Sequence, residues 1–366
     1  MSPAIGPAGS QGPANRIALL GQEPDGLRAV LGADLESWGE PGYRLAQLVR
    51  WIEEHRARSF DEMTDLPAGL RSRLADRFSL GEARAAFEAR SEDGTIKHLW
   101  RLSDGIQVES VLIPTAHRVT LCLSSQAGCA LGCRFCATGE LGFTRQLSAA
   151  EIVEQFRNSD RISSEAFERP IGNVVYMGMG EPFANAGPVF ESLTILHRGF
   201  GVGARRITVS TVGLVPGIRM LGERPEPFRL AVSLHAADSA LRAELMPVER
   251  KYPLDELMEA VRDYQARKSR RVSFEYAMIA GLNDSVALAR ALVQRLEGIA
   301  SYVNLIPYNP IPGRDWGPSP PDRIDAFVSV LEAGGVPTAV RTPRGRDIAA
   351  ACGQLRLERA LSGQTD

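Results

Sequence analysis

The 366-residue sequence carries five cysteines, Cys122, Cys129, Cys133, Cys136 and Cys352, four of them within one short segment. Few cysteines in a long chain do not suggest a disulfide scaffold, and thiols clustered this way point to metal or redox chemistry. Cys129-Ala-Leu-Gly-Cys133-Arg-Phe-Cys136 has the spacing CxxxCxxC, so one loop offers three thiolates. An iron–sulfur cubane normally takes four cysteines. Three leave one iron open to the amino and carboxylate groups of a methionine moiety, which is what reductive cleavage of S-adenosylmethionine requires. Structural zinc, the competing reading, favours paired CxxC units with a fourth Cys or His. The nearest histidines in sequence, His98 and His117, lie outside the triplet. The triplet therefore predicts a [4Fe–4S] cluster.

Other residues carry weaker signals. Gly178-Met179-Gly180-Glu181 follows an apolar run; glycine lets a backbone approach a ligand closely, although the motif alone also reads as a tight turn. For Cys122 or Cys352 taken singly, a buried inert thiol is the majority reading. Gly353 and a loop-like context favour exposure and reactivity at Cys352. His235 alone reads as a packed strand-end histidine, and Ser210 alone says nothing. Glu109, flanked by Val108 and Ser110, reads as a polar-face residue of an alternating strand. Arg205-Arg206, the run Arg267-Lys268-Ser269-Arg270-Arg271, and Arg341, Arg344 and Arg346 are candidates for a local basic surface, each singly a solvated helix end or loop.

The elements that must position these residues begin near Val119, where the pattern becomes strand, loop, helix, repeated. Strands are expected at Val119–Leu123, Val174–Met177, Ile207–Ser210, Leu230–Leu234, Val272–Met278 and Val303–Pro307, with amphipathic helices such as Ala149–Asn158 and Leu254–Ala266 between them. This alternation implies parallel strands with crossover helices. Six units fit an α/β fold built as a partial (β/α)6 barrel, whose active site lies at the C-terminal strand ends. A last short strand, Pro337–Arg341, precedes Cys352. Upstream, Asp93-Gly94 and Asp104-Gly105 separate alternating runs and predict hairpins in a small antiparallel sheet. Helical periodicity over 43–52 puts Leu45, Leu48, Val49 and Ile52 on one face, and a second helix is expected over 70–78. The expected organisation is a disordered lead-in (1–15), a helical accessory domain (16–80), antiparallel hairpins (81–114), the α/β core (115–355) and a frayed tail (356–366).

Composition narrows the class. At 44% hydrophobic and 23% charged residues the chain reads as an ordinary globular protein. No stretch approaches the roughly 18 apolar residues that span a bilayer, and Met1–Asn15 lacks the features of a secretory signal, so a cytosolic protein without a membrane partner is expected. The net charge of −2 argues against coating nucleic acid by bulk electrostatics.

Longer motifs give a family resemblance. Leu121-Cys122-Leu-Ser-Ser-Gln-Ala-Gly-Cys129-Ala-Leu-Gly-Cys133-Arg-Phe-Cys136-Ala-Thr-Gly, Met177-Gly-Met-Gly-Glu181-Pro182, Ser233-Leu-His235, Asn304-Leu-Ile-Pro-Tyr-Asn309-Pro and Asp347-Ile-Ala-Ala-Ala-Cys352-Gly-Gln-Leu resemble, in order, the RlmN/Cfr family of radical-SAM RNA methyltransferases. The resemblance runs from about Arg44 to Leu355. It implies that Cys129, Cys133 and Cys136 hold the cluster, and that Gly180, Glu181, Ser210, Ser233, Leu234, His235 and Asn309 bind S-adenosylmethionine, used twice per turnover. It implies that Cys352 is methylated and carries the methyl group, that Cys122 releases the product by forming a disulfide, and that Glu109 accepts a proton. It further implies a helix-hairpin-helix-like N-terminal domain, an external electron donor, and as substrate an adenosine of 23S rRNA at the peptidyl-transferase centre, with the adenosine next to the anticodon in certain tRNAs. Glu181-Pro182 and Val111-Leu-Ile-Pro114 look RlmN-like, favouring carbon 2 over the Cfr-like carbon 8. Two readings from other classes stay open: a radical-SAM enzyme acting on a protein or small molecule, which would not need Cys352, and a non-catalytic iron–sulfur RNA-binding module.

Overall fold

The computed structural model describes residues 16–355. The lead-in expected over 1–15 and the tail over 356–366 lie outside the described residues. Three antiparallel strands are the first in the chain to enter the main sheet: β1 (Arg84–Arg90), β2 (Ile96–Arg101) and β3 (Gln107–Pro114). β4 (Val119–Cys122) leads into a two-stranded ribbon of β5 (Gln126–Gly128) and β6 (Phe143–Gln146). Then follow β7 (Ile171–Tyr176), β8 (Ile207–Thr211), β9 (Arg229–Ser233), β10 (Val272–Met278), β11 (Ser301–Pro307) and β12 (Thr338–Val340). Apart from the ribbon they form one ten-stranded sheet, ordered β12-β11-β10-β9-β8-β7-β4-β3-β2-β1.

From β4 to β12 neighbouring strands run parallel, so the six expected strands form the partial barrel and the short strand before Cys352 adds a seventh. Covered on both faces, these strands are apolar runs. The hairpins differ from expectation. They are no separate sheet: β3 pairs antiparallel with β4, and the barrel sheet continues through them. The hydrogen-bonding edge of β4 has to be satisfied, and β3 satisfies it.

The N-terminal region packs α1 (Pro24–Ser37), α2 (Tyr43–Glu53) and α3 (Ala68–Arg77). Its ends meet where Ile17–Ala18 pairs with Phe78–Ser79. In α2, Leu48, Val49 and Ile52 are buried as the periodicity predicts, and Leu45 is partly buried against the same core. The first crossover helix of the barrel, α4 (Ala149–Phe167), starts in a capping box, with the Ser148 hydroxyl on the Glu151 amide and the Glu151 carboxylate on the Ser148 amide. Such a cap contributes about 1 kcal/mol. α4 buries polar groups too. The Arg157 guanidinium donates to the carbonyls of Ala57 and Leu80, and Glu154 accepts from the Ala83 amide, which joins the accessory region to the barrel. Burial pushes the Glu154 carboxyl up to about 7, against the opposing pull of Arg157.

The remaining helices of seven residues or more are α5 (Ala186–Thr194), α6 (Val215–Glu223), α7 (Ser239–Leu245), α8 (Leu254–Lys268), α9 (Val286–Arg295) and α10 (Pro321–Ala333). Among the described residues no helix is long and apolar enough to cross a membrane. On α7, Arg242 is fully buried. It donates to the Glu249 carboxylate at 2.5 Å, to the Val212 carbonyl after β8 at 2.5 Å, and to the Leu234 carbonyl after β9 at 3.3 Å. One guanidinium thus ties two strand-end loops together. Arg242→Met strands a buried carboxylate and two carbonyls, so a loss of about 3–5 kcal/mol is expected in urea unfolding, with part recovered by adding Glu249→Gln. A single-variant loss under about 1 kcal/mol would show that the loops are held elsewhere.

Candidate active site

The C-terminal strand ends open into one cleft. Its walls include Cys129, Cys133, Cys136, Gly180, Glu181, Ser210, Ser233, His235, Asn309 and Cys352. Sheet register accounts for part of this gathering: Ser233 pairs with Glu275, and Glu275 with Asn304, so polar residues align across adjacent strands where the helices no longer cover them.

The cysteine loop is held by its backbone. The Cys129 amide donates to the Gly142 carbonyl at 2.8 Å, that of Arg134 to Leu245 at 2.9 Å, and that of Ala137 to Gly353 at 2.7 Å. The ribbon before it closes only because residue 128 is glycine, with φ +80° and a Cβ position 2.0 Å from the Gly142 carbonyl oxygen. Burial, together with mutual repulsion of the thiolates, pushes Cys133 well above the ordinary thiol range. Burial alone leads for Cys129, pushed up to about 11, and for Cys136. Among the described residues no three His, Cys, Asp or Glu side chains converge as ligands of a single metal ion. A cubane gives each thiolate its own iron, so three soft thiolates along one wall suit it without such convergence.

The glycine motif lines the cleft and is also packed tightly against the rest of the chain. A Cβ on Gly180 (φ +95°) would lie 2.5 Å from Gln126 Cβ, and one on Gly178 2.6 Å from the Leu123 carbonyl oxygen. The close approach is to the protein's own first strand-end loop. Glu181 accepts the Val212 amide at 2.9 Å and the Phe183 amide at 3.1 Å. Its burial outweighs these donors and pushes the carboxyl up to about 7. His235 adopts φ +55°, and its Nδ1 accepts the Ala277 amide at 2.9 Å, which leaves the proton of the neutral ring on Nε2. Burial, with Arg242 nearby, pushes the ring down to about 3. Its ring centroid is 4.2 Å from that of Phe135, inside the cysteine triplet. A histidine distant in sequence is therefore beside the triplet in space.

Cys352 is exposed and lines the same cleft. Asn309 donates to the Cys352 carbonyl at 3.1 Å and accepts from Arg346 Nε at 2.7 Å, so here it orients the cysteine-bearing segment. Three expected residues lie behind the wall rather than in it. Leu234 is wholly within the apolar core, and its carbonyl is taken by Arg242. Cys122 is buried at the end of β4; burial first, then the charge of nearby Cys352, raises its thiol. Glu109 is only 2% exposed and stands 3.2 Å from the Lys97 ammonium. The polar-face reading of Glu109 fails because Val108, Glu109, Ser110 and Val111 are all buried, on both faces of β3.

Sequence reasoning missed Arg242, Lys97, Glu275 and the site role of Arg346. Glu275 had a signal: a carboxylate inside Val272-Ser-Phe-Glu275-Tyr, a strand with covered faces, needs a reason. It accepts from Asn304 at 2.7 Å and faces the cleft.

Comparison with known proteins agrees with this geometry. The radical SAM superfamily model matches residues 123–291, and the ribosomal RNA large subunit methyltransferase N-terminal domain matches residues 17–80. A probable dual-specificity RNA methyltransferase RlmN of Gemmatimonas aurantiaca is 47% identical over 343 residues, 93% of each chain. A relative of the same name from Thermus thermophilus is 45% identical over 91% of this chain and 94% of its own. The crystal structure of a radical SAM methyltransferase from Sphaerobacter thermophilus superposes with a TM-score of 0.89 at 46% identity, covering 93% of this chain and 99% of that one. Radical-SAM enzymes use a [4Fe–4S] cluster and S-adenosylmethionine, and the three-thiol wall and adjoining cleft fit both. The chain belongs to the RlmN family of dual-specificity radical-SAM RNA methyltransferases.

Proposed function

We propose that this enzyme methylates carbon 2 of an adenosine in 23S rRNA, at the peptidyl-transferase centre, and the adenosine next to the anticodon in certain tRNAs. The observation that carries the reading is the pairing of an exposed thiol, Cys352, on the cleft of the three-cysteine wall, with a second thiol, Cys122, buried close behind it. Family membership favours an enzyme over a non-catalytic RNA-binding module, and the RlmN names of the relatives favour carbon 2 over carbon 8.

Cys129, Cys133 and Cys136 would hold the cluster, which when bound supplies the electron that cleaves S-adenosylmethionine. Gly180, Glu181, Ser210, Ser233, His235 and Asn309, with Leu234 through its backbone, would seat that molecule at the strand ends. Glu181, buried with a carboxyl near 7, suits a cationic ammonium group, whose charge would favour the ionised form. Ring carbon 2 of adenine is a poor nucleophile, so the methyl group reaches it through a covalent carrier. Cys352 accepts a methyl group by polar displacement of S-adenosylhomocysteine; its S-methyl carbon then gives one hydrogen atom to the 5′-deoxyadenosyl radical and bonds to ring carbon 2, and the adduct passes one electron to a one-electron acceptor. Glu109 accepts the ring proton. Cys122 attacks the Cys352 sulfur, the carbon–sulfur bond breaks, the freed carbon takes up a proton to become the methyl group of the base, and the disulfide left behind is reduced by an external donor. The base must leave its stack to reach the cleft, which favours looped RNA.

Nucleoside mass spectrometry of RNA treated with the reconstituted enzyme should find 2-methyladenosine; 8-methyladenosine would overturn the regiochemistry. Cys133→Ala should lose the brown colour of the anaerobically reconstituted protein and all 5′-deoxyadenosine formation, whereas a colourless, zinc-loaded, active protein would sink the cluster assignment. The two remaining thiols should fail differently, each with turnover reduced at least about 10³-fold. Cys122→Ala should accumulate a Cys352–RNA adduct stable on denaturing gels, and Cys352→Ala none. Trapping by Cys352→Ala instead would reverse the roles.

A further inference from the structure

Lys97 is a buried lysine that the reaction scheme leaves unused. It lies on β2, 4% exposed, and β2 pairs with β3 so that Lys97 faces Val111 and Leu99 faces Glu109. Lys97 and Glu109 are therefore diagonal neighbours on one face of the sheet, where long side chains meet. The ammonium is 3.2 Å from Glu109 Oε1. It also donates, at 3.2 Å, to the carbonyl of Ala349, three residues before Cys352.

A desolvated ammonium persists in a sheet only when its partners are in place. Here the partners belong to the two parts of the site that must act on one ring. Ala349 is an alanine with φ +49°, in the left-handed region that side chains disfavour. Surrounding contacts hold it there. The Ala349 amide donates to Arg346, and Asp347 accepts from the Ser91 hydroxyl at 2.6 Å and the Glu92 amide at 3.2 Å. The Lys97 ammonium takes the Ala349 carbonyl from the other side. The segment carrying Cys352 is thus seated on the hairpin strands, and its seat includes the counter-charge of Glu109.

We propose that Lys97 is a positioning residue for the methyl transfer: its ammonium, anchored on the Ala349 carbonyl, holds the Glu109 carboxylate in place as the charged base. The assignment rests on the covalent reading above. Methylation of Cys352 needs no base, but release of the ring does, and losing an ammonium at 3.2 Å raises the cost of keeping a buried carboxylate ionised. Removing Lys97 should therefore slow the late step and spare the early one.

The full-length reconstituted enzyme is assayed for Cys352 methylation by peptide mass, for RNA adduct on denaturing gels, and for release of methylated nucleoside. Lys97→Met is expected to methylate Cys352 normally, accumulate adduct and release product at least about tenfold more slowly. Lys97→Arg should return release to within about threefold of the parent, since it keeps the charge. If Lys97→Met folds poorly by thermal unfolding, Lys97→Gln, uncharged but with an N–H for Ala349, gives the same reading. The double variant Lys97→Met/Glu109→Gln should be no slower than Glu109→Gln alone, because Lys97 acts through Glu109. Release within about twofold of the parent, a matching loss of Cys352 methylation, or losses that multiply in the double variant each overturn the assignment. Cys122→Ala run alongside separates the levels. Absence of trapped adduct there overturns the covalent reading and Lys97 with it; trapping there with fast release by Lys97→Met overturns Lys97 alone.

Discussion

The site hangs on Ser124. Its hydroxyl donates to the Glu109 carbonyl on β3 and accepts the Met179 amide of the glycine motif at 2.8 Å. Its own amide and carbonyl are bracketed by the Gln155 side chain of α4, at 3.1 and 3.0 Å. Four segments meet at one buried residue, directly before the cysteine loop. None of these polar atoms has access to water, so each bond lost would leave a group unsatisfied at a cost of about 1–3 kcal/mol. That asymmetry fixes where β4 ends, how the glycine motif lies across it, and how the strand bearing Glu109 is set against both.

The same logic recurs outward. Buried charged side chains pair with groups across each junction of the site: Arg242 with the Val212 and Leu234 carbonyls after β8 and β9, Arg157 with the Ala57 and Leu80 carbonyls and Glu154 with the Ala83 amide between barrel and accessory region, and Lys97 with Glu109 and the Ala349 carbonyl near Cys352. Such pairs add little net stability over apolar packing, but they penalise every arrangement that separates the partners. They make the cleft wall a rigid register for loops that carry few apolar side chains of their own.

The sequence made some of this legible for local reasons. Parallel strands buried on two faces leave apolar runs such as Leu230-Ala-Val232, and the cysteine triplet is contiguous, so barrel and cluster loop could both be read directly. What escaped was settled by distant partners. Alternation around Glu109 suggests a wet face, but the Met179 loop lies against it and Lys97, itself bonded to the Ala349 carbonyl, pairs with it. The hairpins look self-contained until β4 offers its free edge. Gly178 and Gly180 read as cleft glycines and do line the cleft, but the second constraint on them, the closeness of Leu123 O and Gln126 Cβ, has no local signal. Asn309 and Arg346 form one unit that no spacing reveals.

The clasp between Ser91 and Asp347 joins residues 256 positions apart. Closing so long a loop carries a high entropy cost, repaid only after the intervening strands have formed. During synthesis the hairpins and the first barrel strands leave the ribosome well before Asp347 exists. The thiol at position 352 consequently meets the cleft last, when the barrel beneath it is complete. Order of assembly thus brings this exposed thiol to the cleft after the walls it joins, and chain topology alone supplies the timing.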